Sequence, residues 1–228
     1  MRGNTARIGL VLSATAALLL EHAVPFGRLF LYPFTLLATW VHEMGHGVAA
    51  LVSGGRFDHL EIFADASGVA YTASAHHAFV AAAGLIGPPL AGALILAAAR
   101  NAKRGGAILL MLSAAILFSL LLWVRSAVGF LALAPLSFIL AAFALWAGQS
   151  RMVLAQLVGV LFALDTVARI DYLFMSTAMI GGETRTSDIS SVAEGLGGPT
   201  LLWGVLIAVL DFGLLYLGLR AAWAPAKD

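Results

Sequence analysis

The 228 residues are 61% hydrophobic and 11% charged, with a formal net charge of +1 and no cysteine. A soluble domain is about 45–50% apolar and about 25% charged, so this composition excludes an ordinary water-soluble core. The missing cysteines exclude disulfides, thiolate metal sites and cysteine nucleophiles, and no basic cluster on a soluble face points to a nucleic-acid partner.

A transmembrane helix needs about 20 mostly apolar residues. Seven stretches are read in chain order: about Ile8–Leu20, Leu29–Val52, Ala78–Ala99, Ala107–Val124, Ala127–Ala147, Met152–Phe174 and Leu201–Leu219. The first follows Arg2 and Arg7, as a signal peptide does. Glu21-His22 closes it without a small-x-small cleavage site, so a retained helix is expected. Arg2 and Arg7 favour a cytoplasmic N-terminus, whereas seven spans put Arg100, Lys103 and Arg104 outside, against the positive-inside rule.

Two connections exceed simple turns. Between Gly54 and His77, Arg56 to Phe63 roughly alternates polar and apolar residues, Asp65-Ala66-Ser67-Gly68 is a turn signal, and Val69 to Thr72 returns. That pattern predicts a β-hairpin, which must sit in water or line a protein cavity. The second connection, Ser176–Pro199, is polar and glycine-rich. The expected fold is therefore an all-α polytopic membrane protein, with six or seven transmembrane helices and one membrane-associated hairpin, forming one domain over residues 1–228.

Chemistry concentrates in Val41-His42-Glu43-Met44-Gly45-His46-Gly47. Residues four apart share one helix face, so His42 and His46 are placed to grip one metal ion. Glu43, beside the open position, is placed to take a proton from water. Zinc with two histidines and a carboxylate keeps a fourth position for that water, whose pKa then falls to about 7. With six histidines in the chain, chance yields H-E-x-x-H about 0.3% of the time. Ionisable residues within an apolar helix are costly and usually functional, so three polar residues merely satisfying one another is the weaker reading.

No ligand follows within Gly47 to Val52, so a third must come from further along. Asp165 lies well inside the sixth segment, Asp171 near its end, Asp211 in the seventh and Asp188 in the polar connection. Asp165 is the preferred candidate, with an i,i+4 pair to Arg169 as its structural alternative. For Asp211 a helix–helix hydrogen bond is the alternative. Gly84 and Gly87 suit close packing of the third helix on the H-E-x-x-H helix, and Pro88-Pro89 is expected to kink or interrupt the third helix.

The run Phe34 to Gly47, continuing through Ala49-Ala50-Leu51 to Gly54-Gly55, resembles the site-2 protease family of intramembrane zinc metalloproteases. The likeness is closest to a compact bacterial branch without a PDZ domain. The resemblance implies His42 and His46 as zinc ligands, Glu43 as general base and Leu164-Asp165 as the aspartate motif supplying the third ligand. Thr166 stands where that motif has glycine, and the upstream asparagine and prolines are absent. Thr184 to Asp188 and Trp203 also resemble the branch, without an assigned role. The hairpin Arg56–Thr72 would present an edge strand to an unfolded substrate helix, since strand addition holds a peptide extended.

The expectation is thus a zinc metalloendopeptidase acting on membrane-embedded protein substrates within a lipid bilayer, by resemblance the bacterial inner membrane. Oligomeric state is not legible. One rival is a membrane zinc hydrolase acting on prenylated protein ends, which typically takes a late-helix glutamate that the later helices here lack. The other is a non-catalytic transporter or scaffold, against which an intact Glu43 argues.

Overall fold

The computed structural model describes residues 2–224. α1 (Arg2–His22) and α2 (Gly27–Val52) lead into β1 (Arg56–Ile62) and β2 (Gly68–Ala73). Then come α3 (His77–Ala98), α4 (Ala102–Leu122), α5 (Ala127–Trp146) and α6 (Ser150–Ala168), closed by a 3₁₀ turn, Ile170–Phe174. β3 (Thr177–Ile180), β4 (Glu183–Thr186), α7 (Asp188–Leu196) and α8 (Thr200–Trp223) complete the order.

Five helices (α3, α4, α5, α6 and α8) are long and apolar enough to cross a membrane, and α1 carries the shorter apolar stretch Ala6–Leu20. The expected helical membrane architecture holds. α2 is not among the five, because Thr39, His42, Glu43 and His46 make its middle polar. Large apolar side chains such as Leu121, Leu131, Trp146 and Leu201 point outward, as a lipid-facing surface requires.

Lipid is as apolar as leucine, so membrane helices associate through close packing and hydrogen bonds rather than hydrophobic burial. Both are visible. A Cβ on Gly45 would overlap the Ala83 carbonyl, and one on Gly84 would overlap the His46 ring, so α2 and α3 meet nearly backbone to backbone. The Trp40 indole donates to Ser119 Oγ at 2.8 Å. Against α6, α1 is fixed by the Gln156 amide donating to the Ala6 carbonyl at 3.0 Å and by Ser13 Oγ donating to the Val153 carbonyl at 3.1 Å. Pro88 and Pro89 do not interrupt α3, which runs unbroken through both.

The first hairpin lies where the alternating sequence puts it. β1 and β2 pair antiparallel from Arg56↔Ala73 to Ile62↔Gly68, with an irregularity between Phe57 and His59. Leu60 and Ile62 point into the bundle core. On its far side β1 is closed off: the Leu60 N–H donates to the Trp123 carbonyl and the Leu60 carbonyl accepts from Arg125, both at 2.9 Å. β2 has no strand on its other edge among the described residues.

Two elements depart from the expected pattern. The sixth helix stops at Ala168 rather than continuing to Phe174, giving way to the 3₁₀ turn. The glycine-rich connection is not a plain loop, since it holds β3, β4 and α7. Gly181 and Gly182 turn that second hairpin with φ of 59° and 84°, the positive values that a two-residue type I′ turn demands at both positions. Its tip meets the first hairpin, where the Gly181 N–H donates to Ser67 Oγ at 3.1 Å.

Candidate metal centre

His42 and His46 sit one turn apart on α2, with ring centroids 4.7 Å apart and planes at 87°. Their Nε2 atoms are 3.1 Å apart. His46 Nδ1 lies 2.8 Å from the Val80 carbonyl of α3. A carbonyl only accepts, so His46 Nδ1 donates to it, and Nε2 is the ring atom left facing His42.

Asp188 closes the group. Its Oδ2 is 3.0 Å from His42 Nε2 and its Oδ1 3.4 Å from His46 Nε2, and one ligand atom from each residue lies within 4.8 Å of the others. Local sequence explains this placement. Ser187, fully buried, caps α7 by accepting from the Ser190 N–H at 3.3 Å while donating to the Met175 carbonyl at 2.5 Å. Asp188 is then the first helical residue, where a carboxylate complements the helix dipole. Ile189 and Val192 bury the opposite face of α7 against Ala81, Leu85 and Leu173.

Tyr172, from the 3₁₀ turn, donates its hydroxyl to Asp188 Oδ2 at 3.1 Å. Burial and the neighbouring Asp188 charge push its phenol well above the ordinary range, so it stays a donor. Burial would raise the Asp188 carboxyl, but the charge of His46 and hydrogen bonds from both histidines outweigh it and hold the group far below the carboxylate range. Groups that orient a metal ligand typically contribute 10–100-fold to metal affinity. Tyr172→Phe is accordingly expected to weaken zinc binding roughly tenfold, read by competition with a chromogenic chelator, with helical content unchanged.

The donor set fits zinc: two imidazole nitrogens and one carboxylate are a common catalytic ligand trio. Three electron-rich atoms converging this closely need a proton or cation between them to be stable. Glu43 adjoins them, 3% exposed. The backbone of β2 crosses directly over it, since a Cβ on Gly68 would stand 2.7 Å from Glu43 Oε1.

Of the residues named from sequence, the structure brings His42, Glu43 and His46 together and puts Asp188, not Asp165, beside the two histidines. The Asp165 Oδ1 instead accepts from Arg169 Nε at 3.1 Å, one helical turn on. Arg169 also donates to Thr39 Oγ1 at 3.3 Å, so Asp165 serves a link between α6 and α2. Asp171, exposed, lines the larger cavity beside the site together with Asp165 and Asp211. Tyr172 escaped the sequence reading, because no spacing rule connects a residue after α6 to one at the start of α7.

A buried H-E-x-x-H helix faced by a carboxylate, inside a bundle of bilayer-length helices, defines the class of membrane metallopeptidases. Residues 10–218 match the Peptidase M50B-like family, and the chain belongs to it. This is the site-2 protease family that the α2 sequence resembles. Neither a curated protein nor a solved structure matches the chain.

Proposed function

We propose that this protein is a zinc-dependent intramembrane endopeptidase, with His42, His46 and Asp188 holding the metal and Glu43 handling protons. The observation that carries the reading is the convergence of the Asp188 carboxylate on both imidazoles of the H-E-x-x-H helix. Bound zinc supplies a Lewis acid that lowers the pKa of water and polarises a peptide carbonyl.

The protein's own groups account for the rest. Glu43 takes a proton from the attacking water and returns it to the leaving nitrogen, so the C–N bond breaks to give a carboxylate and an amine. The Tyr172 hydroxyl holds Asp188 in place. The edge of β2 away from β1, which carries no paired strand among the described residues, crosses over Glu43 and borders a cavity of about 270 Å³ lined by His42, Glu43, His46, β2 and Asp188. A substrate helix that unwinds there gains backbone partners for its exposed amides, which otherwise stay unsatisfied at membrane depth.

The reading predicts that detergent-purified protein cleaves a fluorescein-labelled casein. Cleavage falls to the buffer rate when 1,10-phenanthroline strips the metal and returns when zinc is restored. Cleavage indifferent to metal removal, or none by zinc-loaded protein, would overturn it.

A further inference from the structure

Asp211 stands near the middle of α8, one of the bilayer-length helices. It is 3% exposed, and its Oδ1 is buried with no hydrogen-bond partner among the described residues. An unpaired carboxyl in such surroundings is costly and calls for a partner. Asp211 also lines a cavity of about 520 Å³ whose walls include His42 and Glu43. That cavity is the larger of the two reaching the metal donors, and apolar residues such as Leu85, Pro88, Pro89 and Leu173 form much of its lining.

The other carboxylates of this lining are accounted for, Glu43 adjoining the metal donors. Asp165 is matched by Arg169, whose guanidinium is committed to Asp165 and Thr39. Asp171 lies exposed at the 3₁₀ turn, with its Oδ1 accepting from the Tyr172 N–H. Asp211 is the deep carboxyl of this lining that neither adjoins the metal donors nor has an ion pair among the described residues, so its Oδ1 is left without a hydrogen-bonding partner.

We infer that this cavity is a side-chain subsite for a basic substrate residue, with the Asp211 carboxyl on its wall receiving a lysine or arginine close to the scissile bond. The inference rests on the peptidase reading and deepens it. The apolar walls suit the aliphatic stem of a long basic side chain, and Asp211 suits its head. Transmembrane segments rarely carry a basic residue, so a subsite that demands one selects few substrates from a bilayer full of apolar helices.

The test digests a proteome-derived peptide library with zinc-loaded parent, Asp211→Asn and Asp211→Leu, and maps cleavage sites by mass spectrometry. The parent is expected to enrich lysine and arginine at one position within a few residues of the cut. Charge-assisted hydrogen bonds are worth about 1.5–3 kcal/mol, so the preference should fall at least about tenfold in both variants, with aliphatic residues favoured in Asp211→Leu. The isosteric Asp211→Asn separates loss of the charge from loss of the fold. No positional preference in the parent, or the same preference in both variants, would overturn the subsite.

A second arm needs no catalysis: n-hexylamine should raise the unfolding temperature of the parent more than n-hexanol does, and should lose that advantage in Asp211→Leu. If the parent cleaves nothing, the peptidase reading falls and this arm decides the cavity alone. Amine protection confined to the parent keeps a cation site at Asp211, and equal protection of parent and variant removes it.

Discussion

Glu43→Gln leaves one zinc per chain in place and lowers the rate of peptide cleavage by about 10²–10⁴-fold, the usual contribution of a positioned proton-transfer group. The glutamine is nearly isosteric, and Glu43 is not among the three residues whose ligand atoms converge, so the metal donors keep their places. What is lost is the ability to take a proton from water and deliver it to nitrogen. Zinc content by elemental analysis and cleavage of labelled casein together separate the two effects. Loss of zinc in Glu43→Gln would make Glu43 a ligand rather than a base, and an unchanged rate would remove it from the chemistry.

Asp188→Asn strips zinc from the protein, whereas Asp165→Asn binds it as the parent does. The contrast follows from position. Asp188 places one oxygen 3.0 Å from His42 Nε2 and the other 3.4 Å from His46 Nε2, while Asp165 spends its Oδ1 on Arg169. Outer-shell partners alone account for about 10–100-fold in metal affinity, so removing a direct carboxylate ligand is expected to exceed about 100-fold. Competition titrations with a zinc chelator measure both variants on one scale. Weakened binding in Asp165→Asn with full binding in Asp188→Asn would return the third position to α6.

The comparison of these two aspartates shows where sequence reasoning reached its limit. The H-E-x-x-H pair was legible because both histidines lie on one helix, where spacing alone sets geometry. The first hairpin was legible for a similar reason: polar–apolar alternation and a turn signal are local. Leu164-Asp165 matched a motif by composition, yet Thr166 replaces the motif's glycine, and its hydroxyl donates back to the Phe162 carbonyl at 2.9 Å within a continuing helix. Arg169, four residues on, was the visible warning.

Asp188 needed tertiary information. It reaches α2 from a nine-residue helix, and helices that short are marginal without packing. A signal was nonetheless present. Ser187-Asp188 before Ile189, Val192, Ala193 and Leu196 is a helix start followed by an apolar face, inside a stretch whose glycines read as loop. The glycines at 181 and 182 serve the hairpin turn instead, so one composition carried two different structural meanings. Tyr172 had no sequence signal, because its role exists only once the 3₁₀ turn and α7 meet.

The most direct test is a crystal structure of the zinc-loaded protein with an anomalous difference map recorded at the zinc edge. One strong peak is expected, bonded to His42 Nε2 and His46 Nε2 at about 2.0–2.1 Å and to an Asp188 carboxylate oxygen at about 2.0–2.2 Å. A peak bonded to Asp165 in place of Asp188, or no peak at the paired histidines, would contradict that ligand set.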